Sequence, residues 1–515
     1  MKQPKPTWHK RISNPIFISL LAGLIVQVFT AWNSFFYHSD EYFQIIEFAA
    51  HKYHIAPFSK LPWEFSAEIR PSLQVHFFGL FYKCLTLIGI KDRFFIVSLL
   101  SVLTGVAFFA VSNYLIIDKF KNKTFLVKLL WINNFFWLMP YLRCRYSAEV
   151  LSAFLWVSGV ILLEKLLSQK ASFANALFLF LTGIIFSLSF YCRFQIIFAL
   201  TGLAVWFLIM HHTKWNKAFF VSLGFAAGIA FNFLLDKIYY GEWIFTPYRY
   251  FYTNIIEGKA SSFGTSPWWT YIVILMIAGI PLASLALFVF FMRGLTLFKN
   301  PYALGSLFFI IGHSIVPHKE ERFIFPVLLI MVYLAAEAYD KSPILTAKAK
   351  ALWKHPSLGM FIRAACYFSF ILNIILVILL SMETYKQPLM FIKKFNNQSL
   401  KNELVISFRQ HPYETESGLR YTFLSANKYN DRIKVIDNKK SFIQILNEHP
   451  DFKYCILLAD AKQNKLDYLL QNKHAIVASS LIWKVGGWLA TKYNIIIPDL
   501  WICQTYSEVR QNKGN

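Results

Sequence analysis

Long apolar runs broken by short polar links set the pattern of this chain. The first run, Ile16 to Phe36, is long enough to cross a bilayer. Further runs lie at 94–117, 129–141, 150–163, 173–191, 194–210, 218–235, 270–292, 301–316, 323–340 and 360–382. Together they predict about eleven transmembrane helices, several short enough to tilt or re-enter. The stretch 73–90 is also apolar, but it carries Gln74, His76, Gly79 and Lys83 and is expected not to cross. It closes a mixed segment, 37–93, that reads as an extracytoplasmic loop with interfacial helices. Beyond Ser381 the apolar periodicity stops. Residues 383–515 alternate β-like runs (434–437 and 454–459) with helical patterns (441–448 and 465–471), which predicts a small C-terminal α/β domain. The expected fold is an all-α polytopic membrane domain, 1–382, followed by that small extracytoplasmic domain, 383–515.

Composition supports the class. Of 515 residues, 56% are hydrophobic and only 16% charged, too little polar surface for a soluble protein of this size. The net charge of +24 does not point to nucleic acid, because the basic residues concentrate in short links between apolar runs. The links 118–123, 211–217, 293–299 and 341–354 all fall on the N-terminal side if 73–90 stays outside the bilayer, as the positive-inside rule requires. The N-terminus is then cytoplasmic, and its apolar run is a retained signal anchor; it is too long for a cleaved h-region. The six cysteines form no zinc-like spacing. Cys84, Cys144, Cys192 and Cys366 read as small core residues. Cys455 and Cys503 are a possible pair in an oxidising compartment.

The same threading places the polar clusters of mixed character on the opposite face: 38–51, 143–149, Arg193, 236–268 and 318–322. The foremost is His38-Ser39-Asp40-Glu41-Tyr42-Phe43-Gln44. On a helix, Asp40, Gln44, Glu47 and His51 fall on one side. Such a side can hold a general base, a second carboxylate and a histidine over one substrate. A solvated interfacial helix would carry the same acids, so spacing alone does not decide.

The order of motifs resembles a known family, the polyprenyl-phosphate-mannose-dependent mannosyltransferases of glycosyltransferase family 22, which have a GT-C-like fold. The resemblance rests on His38-Ser39-Asp40-Glu41, then Trp63-Glu64 and Arg70-Pro71-Ser72. It continues through Asp236-Lys237-Ile238-Tyr239-Tyr240-Gly241, Phe245-Thr246-Pro247, Ser261 to Trp268 and His318-Lys319-Glu320-Glu321-Arg322. It covers roughly 15–335 and is nearest the enzymes that add the third mannose of the glycosylphosphatidylinositol (GPI) anchor. Ser39 stands where the family has Pro, and Ser266 where a His often precedes Pro-Trp. The resemblance implies Asp40 as catalytic base, with Glu41 the alternative for that role. Inverting glycosyl transfer needs a carboxylate to take the acceptor's proton and cations to hold the departing phosphate. Arg193, His318, Lys319 and Arg322 are the candidates for the phosphate, and His38, Gln44, Glu47, Glu64 and Arg70 for the sugar. A polyprenyl or dolichyl phosphate mannose donor, a lipid-linked glycan acceptor and membrane lipids are the expected partners. No cofactor and no metal are expected, since no Asp-x-Asp motif is present. The expected location is the endoplasmic reticulum membrane or a bacterial inner membrane, with the site luminal or periplasmic. A transporter or flippase of lipid-linked sugars is the alternative, though transporters place charges near the midplane and repeat their halves.

Overall fold

The computed structural model describes residues 14–56, 60–278 and 283–382, and beyond them 389, 392–393, 403–408, 411, 413–415, 418–426, 433–436, 454–460, 475–476 and 501–506. The chain forms two compact units. One comprises Met1–Trp32, Ala67–Phe77 and Leu99–Ser381; the other comprises Asn33–Ser66, Phe78–Ser98 and Met382–Asn515.

The first unit is built on helices α1 (Asn14–Asn33), α2 (Leu73–Leu87) and α3 (Arg93–Lys119), the last two shared with the second unit, and α4 (Lys123–Phe135), α5 (Ala148–Leu167), α6 (Phe173–Cys192), α7 (Ile197–His211), α8 (Trp215–Tyr240), α9 (Thr270–Ile277), α10 (Ala283–Leu295), α11 (Pro301–Ile315), α12 (Phe325–Lys341) and α13 (Pro356–Ser381). Among the described residues, eight helical stretches are long and apolar enough to cross a membrane: α1, α3, α5, α6, α7 and α12 with their leading 3-10 turns, α8 and α13. The other expected spans are shorter pieces. The run 129–141 breaks at Phe136, whose ψ of 121° ends α4 before a six-residue helix, Leu138–Arg143. The run 270–292 is carried by α9 and α10, and its middle, 279–282, lies outside the described residues. Helix α2 is 15 residues long and is not among the candidate spans, in keeping with its Gln74, His76 and Lys83.

Lipid supplies no hydrophobic force between helices, so small residues and hydrogen bonds hold these together. Helices α6 and α8 meet backbone to backbone. A Cβ on Gly183 would fall 2.0 Å from the Val221 carbonyl oxygen, and one on Gly224 1.9 Å from that of Phe180. Helix α5 joins α6 through reciprocal bonds: Ser152 Oγ donates to the Ser189 carbonyl (2.8 Å) and Ser189 Oγ to that of Ser152 (2.7 Å). Helix α12 is apolar all round and correspondingly central, with every residue from Phe325 to Ala338 buried. Helix α13 keeps Phe361, Phe368, Phe370 and Ile371 exposed, a face suited to acyl chains.

In the second unit, the described strands form one mixed sheet in the order β2-β1-β3-β5-β4, from β1 (Glu403–Phe408), β2 (Ile433–Ile436), β3 (Tyr454–Asp460), β4 (Ala475–Ile476) and β5 (Trp501–Tyr506). Strand β1 runs parallel to β2 and β3, and β5 antiparallel to β3 and β4. The β-like runs at 434–437 and 454–459 coincide with β2 and β3. The helical patterns at 441–448 and 465–471 lie outside the described residues. Register separates the two cysteines considered as a pair: Cys455 faces Tyr506 while Cys503 faces Leu458. Three rungs of strand put their Cα atoms about 10 Å apart, beyond the roughly 7 Å a disulfide spans. The same unit joins the first loop to the C-terminal stretch: Arg93 donates to the carbonyls of Ile55 (3.1 Å) and Phe423, and Phe423 packs edge-on to Phe78 and Tyr82.

The α6–α8 contact predicts that Gly224→Val destabilises the protein by about 2 to 3 kcal/mol through overpacking. The exposed Ala227→Val on the same helix should stay within about 0.5 kcal/mol of the parent. Unfolding midpoints in detergent measure both, and equal midpoints would mean the two backbones do not touch.

Candidate active site

The first-loop motif begins with a short helix, Ser39–Glu41, capped by His38, whose Nδ1 accepts the Asp40 amide at 3.2 Å. The His38 ring lies 3.5 Å from the Asp40 carboxylate. The two acids differ in access. The Asp40 side chain is 24% exposed, whereas Glu41 is 6% exposed and its Oε2 accepts the Tyr37 amide at 3.4 Å.

The helix then opens into a π turn, Tyr42–Glu47, before resuming at Phe48–Lys52. A π turn holds more residues than an α turn, so the expected alignment of Asp40, Gln44, Glu47 and His51 on one side is not kept. Gln44 and Glu64 are both buried and meet each other, Nε2 to Oε1 at 2.9 Å. Glu47 is 2% exposed. Its Oε1 accepts the Tyr42 hydroxyl at 2.5 Å and the Phe423 amide at 2.8 Å, while the Leu424 amide donates to Tyr42 Oη at 3.2 Å. These contacts give Glu47 the task of holding the backbone at 423–424. Burial pushes its carboxyl up to about 7.

In the helical unit, two constellations stand out. The first joins motif residues 164 positions apart. Asp236 is wholly buried; its Oδ1 accepts both the amide (2.9 Å) and hydroxyl (2.7 Å) of Ser72, and its Oδ2 accepts the Thr246 hydroxyl at 2.6 Å. Tyr240 donates to the Arg70 carbonyl at 2.7 Å, which sets Arg70 with its guanidinium 5.8 Å from the Tyr250 ring. Arg249 pairs with Glu68 in the same region. Ser72, Asp236 and Thr246 thus fix the backbone around Arg70, a role their sequence positions do not announce.

The second constellation is ionic. Glu149 sits in the first turn of α5, behind the cap that Ser147 Oγ makes to the Val150 amide, where the helix dipole favours a carboxylate. Arg193 stands at the extended break between α6 and the turn before α7, with its Nη1 2.9 Å from Glu149 Oε1. Arg322 lies 4.0 Å from the same oxygen and donates its Nε to Glu320 Oε2 at 2.5 Å. His318 bridges Glu320 Oε1 (2.9 Å) and the Gly264 carbonyl (3.0 Å). Phe323 lies under both guanidinium groups, 4.6 Å from that of Arg193 and 5.3 Å from that of Arg322. Glu149, Arg193 and Arg322 are each at most 7% exposed. Arg193 Nε and Nη2 are buried with no hydrogen-bond partner among the described residues. Lys319 is differently engaged: its ammonium donates to the carbonyls of Val316 (2.6 Å) and Ser266 (3.1 Å), pinning two loops, and desolvation lowers its pKa. Arg193 and Arg322 share the carboxylates of Glu149 and Glu320, and the two unspent donor atoms of Arg193 are suited to an anion. Charge patterning pointed to Arg193, His318, Lys319 and Arg322; Glu149 and Glu320, which hold all but Lys319, were visible only as members of mixed clusters. No group of His, Cys, Asp and Glu able to hold a metal ion occurs among the described residues.

This is a polytopic membrane protein with a GT-C-like helical fold. The crystal structure of ArnT from Cupriavidus metallidurans bound to undecaprenyl phosphate superposes with a TM-score of 0.53 over 95% of this chain and 97% of that one, at 12% identity. Residues 16–411 match the Alg9-like mannosyltransferase family. The chain belongs to that family. It is 26% identical over 325 residues to GPI mannosyltransferase 3 of Candida albicans, covering 61% of this chain and 63% of that protein. It is 23% identical over 359 residues to GPI alpha-1,2-mannosyltransferase 3 of Bos taurus, covering 67% and 61% respectively. The matches thus span a little over three fifths of these relatives' length.

Glu47 makes a pH prediction. Its folded-state pKa of about 7 exceeds the ordinary 4.5, so the folded protein holds this proton more tightly than the unfolded chain does. The stabilisation is whole below about pH 4.5 and is lost as pH rises through 7, a change on the order of 3 kcal/mol. Glu47→Gln keeps an oxygen acceptor and cannot ionise, so it should flatten the fall in unfolding midpoint between pH 5 and 8. An unchanged pH profile would contradict the assignment.

Proposed function

We propose that the protein transfers a mannosyl unit, with inversion, from a polyprenyl or dolichyl phosphate mannose to a lipid-linked glycan of the GPI-precursor type. The observation that carries this reading is Arg193, a buried guanidinium with two spare donor atoms beside Arg322 and Glu149 in a bundle of apolar helices. A buried cation with unspent donors is costly unless an anion takes them, and a phosphate monoester has the charge and the oxygens to do so. The family supports the reaction, and the names of the relatives support the acceptor class.

In the transfer, the acceptor hydroxyl oxygen bonds to the anomeric carbon as the bond from that carbon to the phosphate oxygen breaks. The hydroxyl proton passes to a carboxylate, and the lipid phosphate leaves with the electron pair. Asp40 takes the proton: of the two motif acids it is the more accessible, and His38 steadies its backbone. Glu41 is covered and acts on its neighbour through charge. Arg193 and Arg322 take the departing phosphate, with Glu149 and Glu320 fixing their orientation. Lys319 holds the loop that carries His318. The assignments of Asp40 and of the arginines rest on separate units and are tested separately. Reaction takes place on the face opposite the basic loops, luminal or periplasmic. A transporter of lipid-linked sugars would share the helices but not need a base, and the family does not favour it.

Mannose transfer by purified protein from mannosyl polyprenyl phosphate tests the base. Asp40→Asn should lower the rate by roughly 10²- to 10⁴-fold, Glu41→Gln less, and Lys121→Gln in a basic loop scarcely at all. Near-normal transfer by Asp40→Asn with loss in Glu41→Gln would move the base to Glu41. Full activity in both would remove this stretch from the chemistry.

A further inference from the structure

A groove of about 570 Å³ runs along the helical unit among α4, α10 and α12, away from the ionic constellation. That volume lies within the range of about 300 to 1,000 Å³ usual for ligand sites. Its bed is made by small side chains, Ala286, Ala335 and Ala336, which leave the space unfilled. From Asn122 at its mouth to Ile132 it follows ten residues of chain, a rise of about 15 Å and half the hydrocarbon thickness of a bilayer. The mouth lies at the end of α4 and α12 that borders the basic links 118–123 and 341–354.

We propose that this groove binds one amine-bearing glycerophospholipid from the adjoining leaflet, with an acyl chain along the alanine bed. Its phosphate lies at Lys128 and its ammonium at Asp340. Both side chains line the groove and are exposed, and neither makes an ion pair among the described residues. Asp340 lies in the last turn of α12, where the helix dipole disfavours a carboxylate. The cation next to it, Lys341, is taken by Glu337 at 2.6 Å. One unspent cation and one unspent anion lining a single groove complement a zwitterionic head better than an anionic one, and a primary ammonium can donate to the carboxylate where a quaternary one cannot. The groove is mainly apolar and one of its walls, α12, belongs to a candidate span, which suits it to acyl chains rather than water.

Native mass spectrometry of the full-length protein, exchanged into micelles containing phosphatidylethanolamine, phosphatidylglycerol or phosphatidylcholine, tests this. The parent should retain one phosphatidylethanolamine in preference to the other two. Ala286→Trp fills the groove from an exposed position and should lower that occupancy about tenfold. Asp340→Asn, a surface change that leaves the fold alone, should abolish the preference for ethanolamine over choline. Equal retention of all three lipids, retention unaffected by Ala286→Trp, or a polyprenyl phosphate held there instead would each overturn the proposal.

Discussion

The constraint on which the rest of the structure depends is the desolvation of charge in an apolar bundle. Glu149, Arg193 and Arg322 are buried among helices that are otherwise nearly uncharged. Removing such groups from water costs several kcal/mol each, and only close pairing with well-placed hydrogen bonds offsets it. The pairing in turn dictates backbone: the N-terminal turn of α5 must present Glu149, the break after α6 must present Arg193, and the turn before α12 must present Arg322. Helix ends rather than helix middles meet there. The glycine contact between α6 and α8 and the serine bonds between α5 and α6 keep those ends in register.

The first loop obeys the same rule in a different medium. Glu47, Gln44 and Glu64 are withdrawn from solvent and consumed by internal hydrogen bonds, which leaves Asp40 as the accessible acid of its motif. The anchor at Asp236 works likewise. Its carboxylate is wholly buried and takes three donors, which fixes the neighbourhood of Arg70 within narrow limits. Polar residues in these motifs therefore divide into those spent on architecture and those left with capacity for a ligand.

How much of this was legible depends on range. The long spans were plain, because about twenty apolar residues in a row have few other fates. That 73–87 would not be a candidate span was legible in Gln74, His76 and Lys83. The break at Phe136 was marked by Pro140, whose nitrogen cannot donate to the carbonyl of residue 136 and whose ring clashes with it in a continuous helix; the unbroken apolar run masked that signal. The π turn at Tyr42–Glu47 carries no local signal, so an ideal helix put Glu47 on the wrong side. Pairings across long separations, Ser72 with Asp236 and Glu149 with Arg193, are fixed by tertiary structure. The motifs marked those positions jointly without stating what each does.

The central claim is that the paired arginines hold a lipid phosphate, and a direct binding measurement tests it best. Phosphorus NMR of polyprenyl phosphate titrated with the purified protein in detergent should give a shifted, broadened resonance for the parent. Arg193→Gln should weaken binding by on the order of 2 to 4 kcal/mol, or roughly 30- to 1,000-fold in Kd. Gln at Lys121 or Lys214, both in basic links, should leave it unchanged. Equal affinity of the Arg193 variant and the parent, with the variant's unfolding midpoint intact, would contradict the account.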